Sequence, residues 1–315
     1  TNIFVFARDA STCYSYSYDM TGAFTSGTKV NIGGTQAFYA PVKSGFLDKG
    51  NNYRVFVGQY KPAAQTYVTT GLIQLNASDA YSSGNYNNVS VTSGDAAPVG
   101  YAAYNNNVIM AGYRGTSNNA STACYWQLWK SGSFFAGGVW SNSQAGAQCA
   151  TIDTDSIRAY VGAQEWDGSN YVPSITAIGV ASGSIAWQRK IDYTVTYNAV
   201  LSIITKSNSS NIISIGKTGT NEFTIVALNT SGSLIWQRAI GNVQNTSANY
   251  YANYQGMVMD SSNNVYIRIM DINGNPIILK YNSSGVLQWQ RSFAFSVYPG
   301  SQQWNLDTDD TNIIM

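Results

Sequence analysis

An all-β fold assembled from repeated four-stranded antiparallel units is predicted by three observations. The phrase Ser-Gly-x-x-x-Trp-Gln-Arg occurs from Ser182 to Arg189, Ser231 to Arg238 and Ser284 to Arg291, which sets a repeat of about fifty residues. Each repeat divides into short runs rich in β-branched and aromatic residues, separated by Asn, Asp, Ser and Gly. No apolar i, i+3, i+4 pattern persists for three helical turns. Four antiparallel strands at that interval form the blade of a β-propeller, where radial stacking buries both faces of each sheet and leaves only short edges. A β-solenoid needs a much shorter repeat, and an immunoglobulin-like string needs about seven strands per hundred residues.

The last clear unit shows the elements in order. Its strands are predicted at 255–259, 265–269, 277–281 and 286–291, with turns at Asp260-Ser-Ser-Asn-Asn264, Asp271-Ile-Asn-Gly-Asn-Pro276 and Asn282-Ser-Ser-Gly285. Upstream, Gly132, Gly71 and Gly22 fall in the same phase as Gly183, Gly232 and Gly285, with the longest interval between Gly71 and Gly132. These earlier units keep the turn and the alternation and lose Trp-Gln-Arg, so 1–150 is where a distinctive function is expected. The units divide approximately as 1–50, 51–105, 106–155, 156–209, 210–262 and 263–310 of a single propeller, and 311–315 begins or closes a further blade.

Inner strands are expected near Gly45-Phe46-Leu47, Val99-Gly100-Tyr101, Ala150-Thr151-Ile152, Leu201-Ser202-Ile203, Met257-Val258-Met259 and Trp304-Asn305-Leu306. Thr-Asn-Ile occurs both at Thr1 and at Thr311. Two readings follow: the termini share one blade, or the chain is a window on a longer array, with six or seven blades in the intact protein.

Composition bounds the function. The 315 residues are 44% hydrophobic, enough for a sizeable core without metals or disulfides. Only 10% are charged and the net charge is +1, so neither nucleic acid nor an anionic membrane is an expected partner. No apolar run approaches the roughly 18 to 20 residues that a bilayer requires, and Thr1 to Ala10 lacks the marks of a signal peptide. Cys13, Cys124 and Cys149 make an odd count. Buried thiols and a Cys124–Cys149 pair are both open.

Histidine is absent, which removes the commonest general base and most zinc sites. Glu165 and Glu222 are the only glutamates, whereas a glycosidase needs two carboxylates facing one pocket. The chain therefore reads as non-enzymatic and without a cofactor. An enzyme would require Asp153, Asp155, Glu165, Asp167, Asp307 and Asp309 to converge. The Asp-rich turns lack the Gly of a calcium loop, so their carboxylates are expected to cap turn amides and hold no metal.

Alternation along an extended strand places Leu287, Trp289 and Arg291 on one face. Trp187, Arg189, Trp236, Arg238, Trp289 and Arg291, with Gly183, Gly232 and Gly285, are thus expected to be structural, the Trp and Arg stacking as cation–π pairs between blades. Asn282-Ser-Ser-Gly-Val-Leu-Gln-Trp-Gln-Arg291, preceded by Asp260-Ser-Ser-Asn-Asn-Val-Tyr-Ile267, resembles the β-propeller repeats of the bacterial SBBP type and the Trp-Gln-Arg repeats of structural proteins of marine tailed phages. The likeness covers about 150–310. Quinone-enzyme and sialidase-like propellers fit less well: Ala227-Leu-Asn-Thr-Ser-Gly232-Ser-Leu-Ile-Trp236 lacks the Asp of their docking phrases and spaces its Gly differently.

Two functions follow. The resemblance implies a structural or adhesive propeller on a phage particle, in a tail, fibre or capsid decoration, docking to other virion proteins, to a host surface or to its own copies. The aromatic clusters Asn249-Tyr250-Tyr251-Ala-Asn-Tyr254, Tyr81-Ser-Ser-Gly-Asn-Tyr86 and Glu165-Trp166-Asp167, read as loops, point instead to a secreted or surface-anchored bacterial propeller that binds a glycan. Either reading places the chain on a virion surface or outside the cell.

Overall fold

The computed structural model describes residues 3–8, 12–18, 21, 23–31, 44–47, 54–60, 69–75, 81–87, 96–115, 121–131, 133–141, 148–154, 157–166, 171–191, 204–207, 211–219, 221–243, 256–273, 275–293, 306–308 and 313–314. Strands and their turns account for them, and no helix occurs among the described residues. The chain forms two compact units, Thr1–Ala145 and Gly146–Met315.

The first unit holds a three-stranded sheet of β1 (Ile3–Arg8), β2 (Thr12–Tyr18) and β3 (Phe24–Asn31). It is followed by a four-stranded sheet of β4 (Ser44–Leu47), β5 (Arg54–Tyr60), β6 (Thr69–Leu75) and β7 (Tyr81–Asn87). Another contains β8 (Ala96–Tyr104), β9 (Asn107–Gly115), β10 (Ser121–Lys130) and β11 (Ser133–Ser141).

The second unit repeats the pattern with β12 (Gln148–Thr154), β13 (Arg158–Trp166), β14 (Tyr171–Gly179) and β15 (Ile185–Lys190). Next come β16 (Ile204–Ser207), β17 (Asn211–Gly219), β18 (Glu222–Asn229) and β19 (Leu234–Gly241), then β20 (Met257–Met259), β21 (Val265–Met270), β22 (Pro276–Tyr281) and β23 (Leu287–Ser292). A two-stranded sheet, β24 (Asp307–Thr308) and β25 (Ile313–Ile314), follows. Every sheet is an antiparallel meander in chain order, and the first strands β12, β16, β20 and β24 neighbour one another. The four-stranded sheets begin at Ser44, Ala96, Gln148, Ile204 and Met257, about one strand before the repeat boundaries at 51, 106, 156, 210 and 263.

Alternation explains why both faces of these sheets are apolar. In β17, Ile212 packs with Tyr160, Ile175 and Val226 toward the preceding sheet, while Ile213 and Ile215 pack with Met257, Val265 and Leu279 toward the following one. In β21, Val265, Ile267 and Ile269 face back and Tyr266 faces forward with Ile278 and Leu306. Burial on two faces removes the hydrophobic-in, polar-out signature of a one-sided sheet.

One sequence expectation fails in the first unit. Gly71 lies in the middle of β6, opposite Gly58 and Tyr86, and the hairpin instead turns between Leu75 and Tyr81. That span from the last paired residue to the next equals those of Tyr18 to Phe24, Leu228 to Leu234 and Tyr281 to Leu287. The long interval at Gly71 therefore arises because Gly71 is a strand glycine, while the equivalent span runs from Leu75 to Tyr81.

Candidate functional site

The repeated phrase builds the best-defined arrangement of polar groups in the second unit. Its first half is a stapled turn. Asn229 Oδ1 accepts from the backbone N–H of Ser231 and Ser233 at 3.0 and 2.9 Å, and from Ser231 Oγ at 2.7 Å. Asn282 Oδ1 likewise accepts from the N–H of Ser284 and Val286 at 3.1 and 2.9 Å. These short side chains satisfy the amides of a turn whose fourth residue has a positive φ, +83° at Gly232 and +72° at Gly285.

Its second half is a bulged outer strand. Leu228 pairs with Leu234 and Ala227 with Trp236, so Ile235 is the extra residue; Ala186 and Gln288 occupy the same place before Trp187 and Trp289. The bulge breaks simple alternation. Leu234 is 59% exposed while Trp236, two residues on, is 6% exposed, and the expected shared face of Leu287, Trp289 and Arg291 is interrupted in the same way at Gln288.

The two halves meet across adjacent sheets. Trp187 Nε1 donates to the Thr230 carbonyl at 3.0 Å and Arg189 Nε to the Gly232 carbonyl at 2.9 Å. One sheet further on, Trp236 Nε1 donates to the Ser283 carbonyl at 3.0 Å and Arg238 Nε to the Gly285 carbonyl at 2.7 Å. Arg158 Nη1 adds a bond to Thr230 O at 3.0 Å. The glycine is required for a second reason: a Cβ on Gly232 would stand 2.8 Å from Trp187 Cδ2, and one on Gly285 2.5 Å from Trp236 Cδ2.

Trp and Arg therefore clamp the next blade through its turn backbone. The expected i, i+2 cation–π pairs form, with Arg238 5.9 Å from the Trp236 ring centroid and Arg291 5.9 Å from that of Trp289. Tyr281 packs beside the second clamp against the Trp236 ring; burial pushes its phenol up, against the opposing charge of Arg238.

Two of the described carboxylates, Asp260 and Asp271, serve turns. Asp260 Oδ1 accepts from the N–H of Ser262 and Asn264, and Oδ2 from Asn264 Nδ2 at 2.7 Å and the Tyr266 hydroxyl at 3.1 Å. Burial pushes this carboxyl up, but the bonds from Asn264, Tyr266 and Ser262 outweigh it and hold the group below its ordinary value. Asp271 staples Asn273 and Asn275 in the same manner. Asp153 and Glu165 stand opposite Tyr160 and Val172, at opposite ends of the β12–β13 hairpin, and Asp307 pairs with Ile314. Asp155, Asp167 and Asp309 lie outside the described residues, and no group of three or more Cys, Asp and Glu side chains suited to a metal occurs among those described.

Of the aromatic residues singled out for ligand contact, Tyr250, Tyr251 and Tyr254 lie outside the described residues. Tyr81 and Tyr86, read as loop residues, belong to strand β7, opposite Leu75 and Gly71. Trp166 is the last residue of β13 and stands in register with Tyr171, the first of β14, a relationship that a reading of Trp166 alone does not show. Of the cysteines, Cys124 stands in β10 and Cys149 in β12. No helix among the described residues is long and apolar enough to cross a membrane.

Meander sheets with adjoining inner strands and turn-to-strand clamps define the class: this is a β-propeller. No protein-family pattern matches the sequence, and no curated protein is similar to it. Among solved structures, a neuraminidase-like protein from A/bat/Guatemala/164/2009 is similar at a TM-score of 0.43 and 9% identity, over 78% of this chain and 72% of that one. A europium-containing methanol dehydrogenase aligns at 0.46 and 12% over 81% of this chain, which spans 54% of that protein's length. The fucose-specific lectin from Aleuria aurantia aligns at 0.46 and 12% over 93% of this chain and 95% of the lectin.

Proposed function

We propose that this protein is a non-enzymatic adhesive or structural propeller that holds loops on a rigid stack of blades. The observation that carries the reading is the use of the repeated polar side chains: Trp187, Arg189, Trp236 and Arg238 bind backbone carbonyls of the next blade, and Asn229, Asp260, Asp271 and Asn282 bind turn amides. Groups spent on packing are not offered to a substrate. The phage-particle setting, in a tail, fibre or capsid decoration, rests on the Trp-Gln-Arg resemblance alone. Gold-labelled antibody on purified virions, with peptide mass spectrometry of the particles, tests it; absence from the particles removes that setting.

A second reading, a glycan-binding propeller, is motivated by the aromatic residues Trp166 and Tyr171 at paired register positions of β13 and β14, with Asp167-Gly-Ser-Asn170 between them in the sequence. Aromatic faces stack on sugar rings while Asp and Asn accept and donate to hydroxyls. A glycan array should give binders whose affinity falls about tenfold or more in Trp166→Ala, the loss expected of one aromatic anchor. An array without binders at high protein concentration removes the glycan reading and leaves the structural one intact.

A further inference from the structure

We infer that the turn-bearing edge of the second unit is a docking surface for an anionic lipid bilayer. Seven large apolar side chains are exposed among the described residues of that unit, and six of them stand at one end of their sheets. Ile185, Leu234, Ile235, Val286 and Leu287 stand at the third-to-fourth-strand turns and are 46 to 59% exposed. Ile157, in the turn between β12 and β13, joins them, because its carbonyl accepts from the Val180 N–H at 2.9 Å. The seventh, Ile272, stands at the opposite end, between β21 and β22. The two clamps hold the turns of successive blades side by side, so these aliphatic side chains gather along one edge.

The net charge of +1 averages over a local excess on the same surface. Residues 180–190, 229–241 and 282–292, which form these turns and outer strands, contain Arg189, Lys190, Arg238 and Arg291 and no Asp or Glu. Arg189, Lys190 and Arg238 stand three to five positions beyond the aliphatic residues on the same strands. All three are exposed, although Arg189 and Arg238 each give Nε to a clamp. Long cationic side chains beside apolar ones match a leaflet, whose anionic headgroups overlie the acyl chains.

The turn backbones suit an environment poor in water. The N–H groups of Asn229, Ser231, Gly232 and Ser233 all donate within their own turn. The carbonyls of Asn229 and Ser233 accept two of those bonds, and those of Thr230 and Gly232 are taken by Trp187 and Arg189. The turn at 282–286 repeats this group for group, with Trp236 and Arg238 as the outside donors. Water would satisfy such groups at an exposed turn, whereas hydrocarbon satisfies none. The exposed side chains are also aliphatic and offer no π face to a sugar ring. A depth of about 5 to 10 Å, that of amphipathic helices lying in the interface, brings them to the acyl boundary and the cations to the phosphates.

Flotation of the full chain with vesicles tests this. Wild type should float with vesicles of phosphatidylcholine and phosphatidylglycerol, less with phosphatidylcholine alone, and less as salt is raised. Leu234→Ser combined with Ile235→Ser should weaken binding about tenfold or more, and Lys190→Gln, which leaves both clamps intact, about fivefold. Val286→Ser, a single exposed change on another blade, should weaken it about threefold or more at an unchanged melting temperature, and serves if the paired variant fails to fold. Ile272→Ser, at the opposite end, should leave binding unmoved. Wild type that does not float, equal flotation with and without phosphatidylglycerol, indifference to both Val286→Ser and Lys190→Gln, or an equal loss in Ile272→Ser would each overturn the assignment. Self-association abolished by the Leu234 and Ile235 substitutions, in place of flotation, would overturn it in favour of a second copy of the chain.

Discussion

Arg238 reaches from the outer strand of one blade to the backbone of the next, where its Nε donates to the Gly285 carbonyl at 2.7 Å. A charged donor on a neutral acceptor in a partly buried seam contributes about 1 to 3 kcal/mol. Arg238→Ala should therefore lower unfolding free energy by about that amount in denaturant titration, with the same loss for Arg189→Ala, which bonds Gly232. Lysine should not restore it, because an ammonium lacks the planar Nε that meets the carbonyl edge while the stem lies along the indole.

The Trp236 indole and Gly285 are coupled in the opposite sense. Gly285 holds φ +72° and leaves no room for a Cβ beside the ring. Gly285→Ala should cost about 2 kcal/mol or more from strain and overlap, and Trp236→Ala about 3 to 5 kcal/mol from the emptied seam. In the double variant the overlap disappears, so its loss should fall below the sum of the single ones. Simple additivity in a double-mutant cycle would show that the indole and the turn do not press on one another.

How much of this was legible in the sequence depends on the chemistry of each part. The strands of the last clear repeat were readable because β-branched runs alternate with Asx-Ser-Gly turns. The clamp was not, since its acceptors are the carbonyls of Thr230, Gly232, Ser283 and Gly285, which any residue would supply. Only the recurring glycine hinted at a neighbour pressing on it. The bulge at Ile235 was hidden for a related reason: it follows from the turn span and the Trp contact, and a residue string shows neither. Gly71, with Ser82, Ser83 and Gly84, misled because turn-like composition was overridden by the pairing of β6 with β7. Trp166 and Tyr171 became a pair only once the register was known.

The Asx staples should carry a large part of each turn's stability. Asn282 Oδ1 holds two amides and Asn229 Oδ1 holds two amides and a hydroxyl. Asn282→Ala and Asn229→Ala should each cost about 0.5 to 2 kcal/mol, the range seen when a capping side chain is removed. Asp should substitute with little loss, because its carboxylate accepts the same N–H groups. Thermal melts of the Ala and Asp variants side by side distinguish a lost acceptor from a general intolerance of change at the position.

Asp260 gives the fold an acid limit whose sign follows from its bonds. Four donors on Asn264, Tyr266 and Ser262 hold the folded carboxyl below its ordinary value of 3.8 despite the opposing push of burial. A group with a depressed folded pKa contributes stability that is complete above the unfolded value and is lost as pH falls through the folded one. Unfolding free energy of wild type should therefore decline as pH drops below about 4. In Asp260→Asn that part of the decline should vanish, leaving a lower but flatter curve at acid pH. Tyr266→Phe removes one of the four donors, so its folded pKa should rise toward the ordinary value and the decline should become shallower. An Asp260→Asn curve that falls as steeply as wild type would place the acid sensitivity in other carboxyls.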